Sequence, residues 1–219
     1  MVFELHPIFR KMVACFMLLF ALSSAFAQDR MIPMKITVES VMEHQHRVMK
    51  FFDVYRSSCF NYVVMPSFSE EYDLSYDCKA KSLVLKKASE NIWYARGKVF
   101  ETKYSLDVSD SLIDSLRYMV LAAVLTSSYM GDTTAVLDGT THLFVVQPFG
   151  QIAECCSPKD GTNNAQAVAV MERLCNAVEN GKKEDAENLI GEIVRVTNLY
   201  RQYYPEGFHR ENAFIHKCW

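Results

Sequence analysis

The residues best suited to chemistry cluster in a few places along the chain. His209, His216 and Cys218 carry the nitrogen and sulfur donors that zinc and copper take. The His216-x-Cys218 spacing is not a recognised ligand pattern, and reaching a full set would need His44 and His46 from far upstream, so no metal residues are expected. Cys155-Cys156 precedes His209 in the order a cysteine hydrolase uses. A nucleophile, however, needs a base within hydrogen-bond reach. No known cysteine signature surrounds Cys155, and no Gly-x-Ser-x-Gly occurs. Neighbouring residues of a strand point to opposite faces, so at most one of the two cysteines faces any site. No catalytic residue is therefore assigned, and no cofactor is expected.

Glu70, Glu71, Asp73 and Asp77 make an acidic cluster beside a turn, where solvated carboxylates are the default. Asp160-Gly-Thr-Asn-Asn164 lacks the spaced carboxylates of a calcium loop and reads as the start of a helix. Trp93-Tyr94 and the group Tyr200, Tyr203, Tyr204 and Phe208 are aromatic-rich. Exposed, such rings form a peptide or glycan platform. At these spacings they also suit a sheet core and the last turn of a packed helix.

One covalent link is predicted from register. Phe60–Met65 and Tyr72–Asp77 read as two strands of a hairpin around the turn Pro66–Glu71. If the pairing is symmetric about that turn, Met65 faces Tyr72, Phe60 faces Asp77, and Cys59 faces Cys78. Directly opposed residues have Cα atoms about 4.5–5.5 Å apart, which a disulfide spans. A one-residue slip would turn one cysteine to the other face. Of seven cysteines, Cys15 lies in the leader; Cys155, Cys156, Cys175 and Cys218 receive no assigned pairing. No Cys-x-x-Cys occurs, so no redox dithiol is indicated.

The leader itself is the clearest signal. Arg10 and Lys11 precede the apolar run Met12–Leu22, and Ser23-Ser-Ala-Phe-Ala27 ends it with small residues. That pattern predicts a secretory signal peptide over 1–27, cleaved after Ala27. The alternative, an uncleaved anchor, is disfavoured because the run is short of the roughly 20 residues a bilayer span needs. Export places the chain in the periplasm or outside the cell, where disulfides persist. No Asn-x-Ser/Thr sequon occurs, which fits bacterial export.

The full chain has 219 residues and a net charge of −3; removing Glu4, Arg10 and Lys11 with the leader leaves −4. This mild acidity, without a basic stripe, argues against nucleic acid or an anionic membrane surface as partner. The remaining length suits one domain over 28–219, with an irregular tail at 206–219.

The elements that must position these residues follow from hydrophobic period. Met34–Glu39 alternates as a short strand, and Ser40-Val-Met-Glu43 has the form of a capping box before a helix to Tyr55. After the hairpin, Leu83–Leu85 begins a third strand and Ile92–Leu106 a long fourth, with Gly97 marking a bulge or close approach. Residues 107–130 predict a central helix, apolar on all sides from Tyr118 to Leu125 and so buried on all sides. Strand-like runs at 134–138, 140–147 and 151–156 follow, the first two joined by an Asp138-Gly139 hairpin turn. Thr162 or Asn163 caps a helix that Asn180-Gly181 stops. A short polar link joins it to a second stripe, from Ala186 to Tyr200, making an antiparallel helix hairpin.

The predicted class is α+β: a largely antiparallel sheet of about six to seven strands, helices on one face, and the central helix between sheet and helix hairpin. The expected function is an exported, non-catalytic binding or envelope-associated module for a protein, peptide or glycan, with no membrane span after cleavage. The alternative is an exported hydrolase without a recognised motif, gathering His142, His209 or Cys155 beside carboxylates.

Overall fold

A computed structural model describes residues 30–34, 39–54, 58–128, 139–146 and 151–204. The signal peptide, the runs at 35–38 and 134–138, the turn at 148–150 and the tail lie outside them. Within the described residues the chain is α+β, built on one seven-stranded antiparallel sheet. The strands are β1 (Ile32–Pro33), β2 (Ser58–Pro66), β3 (Tyr72–Asp77), β4 (Ser82–Ala88), β5 (Glu101–Asp107), β6 (Thr140–Val146) and β7 (Gln151–Cys156). Their spatial order is β1-β7-β6-β2-β3-β4-β5. Strands β2 to β5 form the expected meander, and β6 returns to pair with β2 on its other side.

The helices are α1 (Glu39–Phe51), α2 (Asp110–Leu125), α3 (Asn163–Glu179), the short α4 (Lys183–Glu187) and α5 (Ile190–Arg201). The central helix is α2. It starts where Ser109 accepts the Leu112 N–H as N-cap. Its Leu112, Leu116, Met119, Val120 and Ala123 are buried, but Tyr118 and Leu121 are half-buried and Leu125 is exposed, so the helix is not covered on all sides as its apolar run predicts. Helix α3 starts at the predicted cap, with Thr162 accepting the Ala165 N–H, and Gly181 ends the turn after it at φ +64°. That left-handed backbone favours glycine. The Tyr200 hydroxyl donates to Asn164 Oδ1 at 2.9 Å, and Arg173 pairs with Glu192. These pairings run in opposite senses along α3 and α5, so the two helices form an antiparallel pair.

Two expectations about layering are corrected. Helix α2 packs on β6, β7 and β2 and against α5, but α3 lies directly on β4 and β5. The helix pair is thus not wholly an outer layer; α5 bridges α2 and α3. Helices also cover both faces of the sheet, not one. Phe60, Tyr62, Val64, Leu74 and Phe144 pack with α2, α3 and α5. The intervening Val63, Met65, Leu143 and Val145 pack with Val48 and Met49 of α1 and with Phe52 just after it on the opposite face. The physical reason lies in the strands: β2 and β6 are apolar at successive positions, which demands burial on both sides.

Helix α1 begins at Glu39, before Ser40, so Ser40-Val-Met-Glu43 lies within it and is not its start. The long fourth strand is also shorter than expected. Pairing with β4 begins only at Glu101. Gly97 sits in the irregular stretch before it, where an added Cβ would meet nothing within 4 Å, so no close approach requires it.

Cys59 and Cys78 are disulfide-bonded, with Cα atoms 7.1 Å apart. The register that predicted the bond is wrong by one: Val64, not Met65, faces Tyr72. A bulge between Ser58 and Asn61 shifts it by one more, setting Ser58 opposite Asp77. It places the successive residues Cys59 and Phe60 both in the core under α2 and α3, where strict alternation would have split them. Cys78 lies just past β3, so the pair is joined diagonally across the bulge, which explains the wide Cα spacing.

Candidate ring surface and its support

Two buried polar residues organise one end of the sheet. Glu71, at the start of β3, is fully buried. Its Oε2 accepts the Ile92 N–H at 2.8 Å, its Oε1 meets His44 Nε2 at 2.8 Å, and its backbone carbonyl accepts from Ala88 N–H at 2.9 Å. Asn91, also buried, donates from Nδ2 to the Ser69 carbonyl at 2.8 Å. Its Oδ1 accepts the N–H groups of Trp93 and Tyr94. The amides of three consecutive residues, 92 to 94, are thus taken by side chains. They are taken out of any ladder there, and pairing with β4 begins at Glu101, opposite the last residue of β4.

Helix α1 completes the support. His44 and Arg47 lie one turn apart on one side of the helix. The His44 ring centroid is 5.4 Å from that of Trp93, and the Arg47 guanidinium carbon lies 5.5 Å from the Trp93 ring centroid. Arg47 also donates to the Ile92 carbonyl at 3.2 Å. A cation over an indole face is electrostatically favoured. Trp93 is therefore an anchor, and its neighbour Tyr94 points outward.

Tyr94 is 59 % exposed and Phe68, on the β2–β3 turn, 73 % exposed. Their rings are near-parallel at 10°, with centroids 6.5 Å apart. Phe100, at the base of the same loop, is 61 % exposed, with Lys98 Nζ 5.5 Å from its ring centroid. Three large apolar side chains are thus held out in water on and beside one braced loop. Of these rings only Tyr94 stood out in the sequence. Phe68 and Phe100 were missed, although a phenylalanine inside the polar turn Pro66–Glu71 was the available signal.

The acidic cluster expected to be solvated is dispersed instead. Only Glu70 is exposed; Glu71 and Asp73 are fully buried. Asp77 caps the next turn, accepting the N–H groups of Lys79 and Ala80, and those backbone bonds hold its carboxyl below the usual range. Asp73 accepts Asn61 Nδ2 on both oxygens, at 3.0 and 3.2 Å, and burial pushes its carboxyl up to about 7.

His142 and Cys155 do face each other across β6 and β7. Both are buried. His142 Nδ1 meets the Tyr62 hydroxyl at 2.8 Å, and burial pulls its imidazole down to about 4. Burial pushes the Cys155 thiol far up, so it stays protonated. A nucleophile needs the thiolate. As arranged, this pair is a packed polar element of the core. His46 is exposed on α1. His209, His216 and Cys218 lie outside the described residues. Among the described residues no three or more His, Cys, Asp or Glu side chains converge as a metal would require. Nor is any described helix long and apolar enough to cross a membrane.

The chain matches no protein-family model, no curated protein and no solved structure.

Proposed function

We propose that this is an exported, non-catalytic binding module, and that the Phe68–Tyr94 ring surface is where it meets a protein, peptide or glycan. The observation that carries the reading is the exposed ring pair on a loop fixed by Glu71, Asn91 and Trp93. Fixing a loop in advance lowers the ordering cost of binding. Aromatic rings on such a loop give large contact area with few torsions to freeze. Export fits the disulfide and rests on the leader pattern. The burial of Cys155 and His142 leaves the hydrolase alternative with little to support it.

A titration followed by amide chemical shifts tests the reading, using chito- and cello-oligosaccharides, muropeptides and proline-rich peptides as probes. Expected is saturable binding by at least one probe, with shifts centred on residues 67–70 and 93–100 and lost in the Phe68→Ser/Tyr94→Ser variant. Binding that survives the double substitution, or shifts centred elsewhere, would overturn the assignment of the surface.

A further inference from the structure

The second buried polar group on the α1 face of the sheet sits beneath the end of that helix. Asp73 on β3 is flanked by Asn61 on β2 and stands directly opposite Lys86 on β4. Lys86 does not spend its ammonium on the carboxylate. Its Nζ donates to the Phe52 carbonyl at 2.7 Å. Phe52 immediately follows the last residue of α1, and the chain turns there through Asp53 at φ +55°. The last carbonyls of a helix lack partners and carry partial negative charge, so an ammonium is favoured at that point. Lys86 therefore lies between two acceptors: a helix end and a buried carboxyl group.

We propose that Lys86 is a latch that docks α1 when Asp73 is protonated and is drawn away from the helix end when Asp73 ionises. A buried carboxylate must be paired, and Lys86 is the cation directly across the ladder. The other groups around Asp73 do not supply that charge. Asn61 and Ser75 are neutral donors, and Glu101 on β5 opposes ionisation. From the far side of the sheet, Cys175 of α3 is held protonated by burial. From α1 itself the nearby group is the Phe52 carbonyl, and Asp53 is exposed. Burial, the largest influence on Asp73, places the change near neutral pH.

The sign follows from linkage. Loosening releases a proton from Asp73, so the loosened form gains with rising pH, by up to about tenfold per unit, and levels off once docked Asp73 is itself ionised. Hydrogen exchange of the α1 amides tests this between pH 5 and 8, corrected for intrinsic rates and referenced to α3. Expected is a rise in α1 opening that flattens near neutrality. Asp73→Asn should hold α1 at its low-pH protection throughout, and Lys86→Gln should leave it open at every pH. The His44–Glu71 contact is intact in Asp73→Asn, so a transition surviving there comes from a group other than Asp73 and overturns the proposal. A transition persisting in Lys86→Gln also overturns it, and that variant decides the matter if Asp73→Asn does not fold. So does a wild-type α1 whose protection tracks α3 at all pH values.

Discussion

Asp73 shows what one buried side chain does to a pH profile. Its folded carboxyl is raised to about 7, above the ordinary value near 4. The folded state therefore holds a proton that the unfolded chain has already lost. The stabilisation is complete below the unfolded value and disappears as pH rises through about 7. Urea unfolding of wild type should lose a few kcal/mol between about pH 4 and 7 from this group, as an order of magnitude. The Asp73→Asn profile should be flatter over that window; parallel profiles would show the carboxyl is not perturbed. Glu71 is a different case, because its carboxylate is satisfied by His44 and the Ile92 N–H. Glu71→Ala strands that amide and should cost about 1–3 kcal/mol. Equilibrium unfolding measures it, and a change below 0.5 kcal/mol would deny Glu71 its place as a support. Neither burial was legible from residue type, since carboxylates near turns are usually solvated. What hides Glu71 is a loop twenty residues further along the chain and a helix from before it, and no local window shows either.

At the scale of elements, period served best where one face alone is buried. The caps at Ser109 and Thr162 and the stop at Gly181 follow their local patterns, and α2, α3 and α5 follow their stripes. It failed at residues 92–94, whose amides are taken by the distant Glu71 and the adjacent Asn91. It also under-read β2, whose unbroken run of apolar residues already called for a second covering layer. The helix side has its own long-range tie. Ser109, the cap of α2, bonds the Glu187 carboxylate through both its N–H, at 2.7 Å, and its hydroxyl, at 2.6 Å. The Ser109 hydroxyl thus both caps its helix and holds α4. Ser109→Ala should cost about 0.5–2 kcal/mol. In a double-mutant cycle with Glu187→Ala the two losses should couple by about 0.5 kcal/mol or more. Strict additivity would show that the tie contributes nothing. The disulfide spans 19 residues and should add roughly 3 kcal/mol by the chain-entropy model. Peptide mapping of the non-reduced protein should recover Cys59 linked to Cys78; free thiols at both would refute the bond.

For the whole molecule, the sheet with its two covered faces is a frame that presents one braced end. The α+β class and the strands β2 to β7 were readable from period; β1, at Ile32–Pro33, lies just before the run at 34–39 that reads as a strand, and the exposed ring pair was not readable. It joins a turn at 66–71 to a loop at 89–100, and only the register of β2 to β5 brings them together. The proposed binding role makes a direct prediction about what those rings touch. The most direct measurement places a photo-crosslinking phenylalanine analogue at position 94 in the full-length protein, with position 194 on α5, also exposed, as the control. Expected is a discrete adduct from position 94 that is lost when Phe68 is replaced by serine, and none from position 194. The same adducts from both positions, or none from position 94, would contradict a binding surface at Phe68 and Tyr94.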